Sequence, residues 1–372
     1  MSVNWFEEYS FETDPYYLHG PWVTPLNEIV WNRDDLALGK IQVDSFIEEI
    51  AKGYNTSLVI WGPWRSGKSW LARYIQKNIQ DQEEVFFIPI IIEEGDPSLN
   101  AFFEQFMSRL IDTDWITSIA RKIPDSQKRD KWKEYFELAD LGQCLYNIFT
   151  DEEKILSKEW LIGNKLSVAD MKKIGVQSNL DSLYKQMDSL KIIIRKSHST
   201  FKNFILCIDQ LESARGRNAR LISDLLRELT SSFYDKFTLI LILTIDTISQ
   251  WFEFGYTEAL LERVRYKVEM ELLKYDYIPK FLRLQHEAHR TEQPSGSRFS
   301  PFSKKSILYL SGQMLPERIF PNFLLNNCGR LAREILQDRR RTITPNFIDS
   351  NLGLLQDIIK KTGQLRFDSD IP

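Results

Sequence analysis

Short, continuous apolar runs recur along the first two thirds of the chain and predict strands that are buried in a sheet. One later segment, Lys267–Leu272, alternates apolar and polar residues, as a further strand does. Pro89 cannot donate to a neighbouring strand, so the second run is expected at a sheet edge. Apolar residues at helical spacing predict helices between the runs, which indicates an α/β fold. The continuous runs are Ser57–Trp61, Val85–Ile92, Phe204–Ile208 and Phe237–Thr244.

Residues 112–200 form a long and mainly helical stretch between the second and third predicted strands. Connections between neighbouring strands through a helix are usually much shorter. We therefore interpret this stretch as an insertion, a kind of segment that often carries specific recognition. Most of its aromatic residues, among them Trp115, Trp132 and Trp160, are expected to pack inside it.

The two ends of the chain differ from this central part. Residues 1–32 are rich in aromatic residues and proline and show no clear period. Such an arm packs either on its own chain or on a neighbouring subunit, and the sequence leaves both open. From Tyr275 the pattern changes to helices joined by turns. The predicted domains are the arm 1–32, a core 33–274 and a helical domain 275–372.

The first predicted strand leads into a loop and then into an amphipathic helix. The loop, Gly62–Ser69, has the G-x-x-x-x-G-K-S spacing of a phosphate-binding loop. Its glycines allow turns that a Cβ would block, and its amides and the helix N-terminus point at phosphate oxygens. Lys68 would reach the β- and γ-phosphates of ATP, and the Ser69 hydroxyl would hold Mg²⁺. The predicted nucleotide-binding residues are Gly62, Pro63, Trp64, Arg65, Ser66, Gly67, Lys68, Ser69 and Trp70.

An acidic residue, Asp209, ends the third predicted strand. Enzymes with a phosphate-binding loop keep a carboxylate at this place to order the magnesium ion through water. An apolar strand that ends in aspartate is weak evidence alone, but it is strong after a complete phosphate loop. Asp209 is therefore predicted to act with Ser69 at the Mg²⁺ ion.

Overall charge and composition exclude some classes of protein. The formal net charge is −4, so the chain as a whole does not have the positive charge typical of nucleic-acid binders. The three cysteines are scattered, which favours free thiols in a reducing compartment. The sequence shows no signal peptide and no apolar run that could span a membrane. A cytoplasmic protein without a membrane partner is expected.

The strands, the phosphate loop, Asp209, the polar tip of the fourth strand and the C-terminal helices together resemble an AAA+ ATPase. The segments Glu262–Tyr275 and Asn327–Leu336 are most similar to the origin-recognition initiators and the related STAND-type ATPases. This resemblance covers about residues 33–360, without the insertion. A shorter similarity, through Trp160–Gly163 and Ile174–Val176, is to ATP-binding proteins of prokaryotic phage-defence clusters.

The resemblance implies a parallel sheet in the order 5-1-4-3-2, a C-terminal helical lid and a nucleotide site at a subunit interface. The chain is then a homo-oligomer, in a ring or a filament. By the same likeness Asp246 or Thr244 takes the sensor-1 place, and Arg330 matches the sensor-2 arginine of the lid. Arg265, or failing it Arg263, would be the arginine finger that acts on the γ-phosphate bound by a neighbouring subunit. An ordinary surface ion pair is the alternative for both of these arginines.

One residue departs from the family pattern. The family has Asp-Glu at the acidic strand end, where the glutamate polarises the attacking water, and this chain has Gln210 instead. An amide cannot act as a base. Glu212 is a possible substitute, but on an extended backbone it would lie on the same side as Gln210 and roughly 7 Å away. We therefore expect intact ATP binding and slow hydrolysis.

These observations predict an ATP-dependent switch that assembles and recruits or licenses a partner protein, in defence, transposition or replication control. The alternatives are a motor that remodels protein or DNA by repeated turnover, and a nucleotide-bound scaffold without catalysis. The initiators carry a DNA-binding domain beyond the lid, whereas this sequence ends shortly after Lys361. DNA contact is therefore expected through the core, the insertion or a partner. Basic groups occur at Lys128–Lys133, Arg215–Arg220 and Arg339–Arg341.

Overall fold

The chain forms two compact units in the computed structural model. The core unit comprises residues 38–64 and 75–269, and the loop unit comprises residues 65–74 with the described parts of 1–37 and 270–372. The structure describes residues 21–26, 29, 31, 33–80, 85–233, 236–290, 301–303, 305–307, 309, 324, 325, 328, 329, 331, 332 and 342–351.

A parallel sheet of five strands forms the centre of the core unit. Its strands are β1 Ser57–Gly62, β2 Val85–Ile91, β3 Asn203–Asp209, β4 Phe237–Thr244 and β5 Tyr266–Glu269. The order β2-β3-β4-β1-β5 is the predicted order, and β2 with its Pro89 lies at an edge as expected. Every residue of β3 is buried, and in β4 only Thr244 is not. The continuous apolar runs of β3 and β4 thus correspond to strands covered on both faces, whereas burial alternates along β2 at the edge.

Helices precede β1, occupy the connections between the strands and follow β5. They are α1 Ala37–Ala51, α2 Lys68–Gln80, α3 Leu99–Ile111, α4 Trp115–Ala120, α5 Arg129–Phe136, α6 Ala139–Thr150, α7 Lys154–Leu161, α8 Val168–Ile174, α9 Leu183–Ser197, α10 Arg217–Ser232, α11 Gln250–Glu253, α12 Glu258–Leu261, α13 Ile278–Ala288 and α14 Pro345–Ser350. None of the helices in the described ranges is long and apolar enough to cross a lipid bilayer.

The insertion between β2 and β3 is helical, and its buried aromatic residues are continuous with the apolar core of the sheet. Trp115, Trp132 and Trp160 are at most 2% exposed. Each indole N–H has a partner: the Ser197 hydroxyl at 2.7 Å for Trp115, and main-chain carbonyls at 2.8 Å for Trp132 and Trp160. Buried indoles are stable only when this N–H is satisfied. The prediction that these tryptophans pack inside the insertion is confirmed.

In the loop unit, the described part of the N-terminal arm packs on its own chain. Arg73 of α2 donates to the main-chain oxygens of Pro21 at 2.9 Å and Thr24 at 2.6 Å. The Trp31 ring lies 5.5 Å from the Tyr74 ring. These described residues contact their own chain, and docking of the arm on a neighbouring subunit stays a prediction. A separate apolar cluster joins α13 to α14 and to the described residues between them.

Candidate functional site

The glycine-containing loop follows β1 directly and ends where α2 begins at Lys68, so the predicted strand, loop and helix are all present. Gly67 has a φ of 97°, a conformation that other residues rarely adopt. A Cβ at this position would make only an ordinary contact with Met270, at 3.6 Å. Backbone conformation, not space, therefore requires glycine here. Arg65 also has a positive φ, of 60°.

The side chains of this loop differ in exposure. Ser66 and Lys68 are buried, at 0% and 6% exposure, whereas Trp64 is 49% exposed. Ser69 and Trp70 are half-buried. Burial lowers the pKa of the Arg65 guanidinium, because the charged form loses water. Partly desolvated cations attract an anion more strongly than solvated ones do.

The tip of β3 presents a fixed carboxylate. Asp209 is the last residue of the strand and is 5% exposed. One of its oxygens, Oδ1, accepts the N–H of Gln210 at 2.9 Å. Gln210 lies in the left-handed region, with φ 60° and ψ 38°, and its side chain is exposed. For a residue other than glycine this backbone conformation costs roughly 1 kcal/mol, and such strain often occurs at functional sites.

The chain after Gln210 is not extended, so the expected position of Glu212 is wrong. Leu211–Ser213 form a single 3₁₀ turn directly after the left-handed Gln210. In this turn Glu212 accepts the main-chain N–H of Thr244 on its Oε2 at 2.9 Å. Tyr256 donates to the Leu211 carbonyl at 2.7 Å, and burial raises the pKa of its phenol, which keeps this donor protonated. Glu212 thus joins the tips of β3 and β4.

The two sensor-1 candidates occupy different places. Thr244 ends β4 directly beside Gly62, the last residue of β1. Asp246 lies two residues beyond the strand and is exposed, and its N–H donates to Gln250 Oε1 at 2.7 Å. The carboxyl ends of β1 and β4 therefore bring Thr244, and not Asp246, to the start of the phosphate loop.

The three predicted arginines also differ. Arg265 is 62% exposed and pairs with Glu49 at 2.8 Å, while its guanidinium lies over the Tyr266 ring. Arg263 is exposed, and its side chain has no hydrogen-bond or ion-pair partner among the described residues. Arg330 lies outside the described residues. A finger that acts on a neighbour has to be exposed and available, and of the two described arginines Arg263 has both properties.

Arg33 was missed by the sequence argument. It is 2% exposed, and its guanidinium donates to the main-chain oxygen of Ser66 in the phosphate loop at 3.3 Å. The run Arg33-Asp34-Asp35 just before α1 has the composition of a solvated helix start, and no periodic signal marks it as buried. Only the tertiary structure reveals its contact with the loop.

Replacing Glu212 tests its role as a link between strand tips. We expect Glu212→Ala to lower the free energy of unfolding by about 1–3 kcal/mol, because the Thr244 N–H loses its partner. Glu212→Gln keeps an acceptor oxygen and should lose less than half of that amount. Chemical denaturation of the three proteins measures the difference. Equal stability of Glu212→Ala and the wild type would contradict the link.

Comparisons with known proteins agree with this arrangement. The ORC1 protein of Aeropyrum pernix, solved in complex with DNA, is similar in fold, with a TM-score of 0.52 and 9% identity over 90% of this chain and 68% of that one. The ORC2 protein of the same organism, solved in ADPNP–ADP complexes, has a TM-score of 0.52 and 8% identity over 86% of this chain and 67% of that one. Among curated proteins no sequence is significantly similar.

The sheet order and the loop after β1 agree with these likenesses, so the fold is the one seen in the origin-recognition proteins. Residues 45–300 match the family model of an ATPase domain that is found predominantly in Archaea. The chain belongs to this family of ATPase domains. The fold and the resemblance to origin-recognition ATPases are therefore confirmed, whereas the weaker similarity to phage-defence proteins stays a prediction.

Proposed function

We propose that this chain is an ATP-dependent molecular switch, which binds ATP, hydrolyses it slowly, and assembles with its own copies to recruit or license a partner protein. The observation that carries the proposal is the tip of β3. Gln210 takes the place of the catalytic base and has no basic group. Glu212, the substitute nearest in sequence, is engaged with the main chain of Thr244.

The residues of the loop and of the β3 tip have the chemistry that Mg·ATP requires. Lys68 would neutralise the β- and γ-phosphates, and the loop amides would surround them. Hydroxyl and carboxylate oxygens are the ligands that magnesium prefers, so Ser69 and Asp209 are our candidates for the metal. Asp209 suits this task because one of its oxygens is fixed by the Gln210 N–H. The bound magnesium would offset phosphate charge.

Two measurements on the wild-type protein test the switch. We expect ATP to bind with a stoichiometry of one per chain, while phosphate release stays well below the median enzyme rate of about 10 s⁻¹. Light scattering after gel filtration should give a larger particle mass with ATP than without nucleotide. A mass that is independent of ATP would count against assembly, and rapid turnover would favour the remodelling motor. ATP binding without any phosphate release and without assembly would leave the nucleotide-bound scaffold as the remaining alternative.

Arg263 is a better candidate than Arg265 for the arginine finger that acts on a neighbouring subunit. We expect Arg263→Ala to remove most of the ATP turnover that assembly stimulates and to leave ATP binding unchanged, because the guanidinium would act only on a neighbour's γ-phosphate. Arg265→Ala is the matched control. It removes an ion pair with the half-buried Glu49 and should leave turnover unchanged. The opposite result would assign the finger to Arg265.

We propose that the start of α10 is the surface that faces DNA, and the DNA complex of a protein with a similar fold supports a role on DNA. Arg215, Arg217 and Arg220 are all exposed there. Arg217 and Arg220 form no ion pair within the described part of the chain. The Arg215 guanidinium lies 5.0 Å from the centre of the Phe254 ring, which holds it at the surface. Unpaired arginines with this spacing are suited to the phosphates of a nucleic-acid backbone.

The salt dependence of DNA binding tests this surface. Each phosphate contact contributes about 0.9 to the slope of log K against log salt concentration. We expect the double variant Arg217→Ala/Arg220→Ala to reduce that slope by about 1.8 in the presence of ATP. Arg227→Ala, on the same helix but paired with Asp224 at 3.3 Å, should leave it unchanged. An identical slope for all three proteins would exclude this surface, and absence of DNA binding by the wild type would exclude a DNA-bound switch.

A further inference from the structure

The buried guanidinium of Arg33 has an unusual set of partners. Its side chain is 2% exposed and that of Asp35 is 4% exposed. Nε and Nη2 of Arg33 donate to the two carboxylate oxygens of Asp35 at 2.8 Å and 2.9 Å. A charge in such a dry place requires a partner of opposite sign, and the two-point pair fixes the plane of the guanidinium.

The same guanidinium reaches two other segments of the loop unit. Nη2 also donates to the main-chain oxygen of Glu271, just after β5, at 2.7 Å, and Nη1 donates to the main-chain oxygen of Ser66 at 3.3 Å. With the guanidinium plane fixed by Asp35 and Glu271, one N–H of Nη1 is directed at the phosphate loop. A lysine could not do this, because its ammonium is a single point without the rigid fork of an arginine.

The contact with Ser66 determines the direction of the next amide. In a planar trans peptide, the carbonyl of one residue and the N–H of the following residue point in opposite directions. Arg33 holds the Ser66 oxygen on its own side, so the N–H of Gly67 points away from Arg33. Amides of this loop are the groups that surround phosphate in loops of this sequence. A flipped peptide would instead present the negative end of its dipole to the phosphates.

We propose that Arg33 is a positioning residue, which locks the Ser66–Gly67 peptide in the orientation that binds the phosphates of ATP. It acts through the loop main chain and does not touch the nucleotide. The inference rests on the proposed ATP site, and it predicts a specific loss of phosphate binding when Arg33 is removed. The base and ribose of the nucleotide should be bound as before.

The test compares ATP, ADP and AMP, whose affinities are measured by calorimetry on the full chain. Removing Arg33 alone leaves Asp35 buried and unpaired, which endangers folding. The double variant Arg33→Leu/Asp35→Leu replaces the pair by apolar groups and is the main variant. Arg33→Lys retains the positive charge but lacks the planar, two-point donor geometry of the guanidinium. Lys280→Ala is the control, since it removes an ion pair of 3.2 Å with Asp34 and a contact with the Tyr277 ring but leaves the partners of Arg33 in place.

We expect the double variant and Arg33→Lys to bind ATP and ADP about tenfold or more weakly, with AMP affinity retained, because AMP lacks the β-phosphate that the loop surrounds. Lys280→Ala should bind all three nucleotides like the wild type. Equal losses for AMP and ADP would indicate a merely structural role and overturn the proposal. Unchanged ATP and ADP affinity in a folded double variant would do the same. A wild type that binds no ATP would instead refute the proposed function itself.

Discussion

Replacing Gln210 by glutamate should raise the rate of ATP hydrolysis by about a hundredfold or more, which is the usual contribution of a general base. The side chain at this position is exposed. A carboxylate there would keep a pKa near its usual value and would be ionised at neutral pH. It could then accept a proton from the attacking water, which the present amide cannot do. Steady-state phosphate release with saturating Mg·ATP measures the change.

The control for this variant is Gln210→Asn. Asparagine accepts the left-handed conformation more readily than glutamine, so it tests whether relief of backbone strain alone increases the rate. We expect Gln210→Asn to hydrolyse ATP as slowly as the wild type. No increase for Gln210→Glu would refute slow hydrolysis as a consequence of the missing base. Brisk hydrolysis by the wild type that is abolished in Glu212→Gln would assign the base to Glu212.

Lys68→Ala should weaken ATP binding by between about tenfold and a hundredfold, because a buried ammonium forms charge-assisted hydrogen bonds with phosphate that contribute about 1.5–3 kcal/mol. Lys68 is 6% exposed, so in the variant little water could reach the phosphates and stabilise their charge in place of the ammonium. The variant should also lose most of the increase in melting temperature that ATP produces in the wild type. Calorimetric titration and thermal melting with and without ATP measure both effects.

Lys77→Ala is the matched control, because Lys77 lies in the last turn of the same helix and outside the phosphate loop. It should bind ATP like the wild type. Equal weakening in the two variants would mean that the loss reflects the helix and not the phosphate contact. Unchanged binding in Lys68→Ala would remove the main support for an ATP site in this loop.

Much of the fold could be predicted from the sequence, because burial is reflected directly in the pattern of apolar and polar residues. The largely apolar β3 and β4 lie inside the sheet, and Pro89 marks its edge. The phosphate loop could be predicted equally well, since Gly67 occupies a position where the backbone requires a positive φ. These features depend on residues that are close in sequence.

The parts that could not be predicted depend on contacts that are distant in sequence. Glu212 was expected on an extended backbone, and no glycine, asparagine or proline warned of the turn that begins at Gln210. Arg33 lies 33 residues before the Ser66 oxygen that it contacts, and its neighbours in sequence are acidic and polar. Helical and strand periodicity carry no information about such partners.

The exposed indole of Trp64 makes the phosphate loop accessible to optical measurement. Trp64 is 49% exposed, whereas Trp115 and Trp132 in the insertion are buried. An exposed indole emits at longer wavelength and is quenched by small solutes in water, while buried ones are shielded. The difference spectrum between the wild type and a Trp64→Phe variant would therefore isolate the signal of one loop residue. The state of the loop can then be followed in real time without a label, in the free protein and in its assemblies.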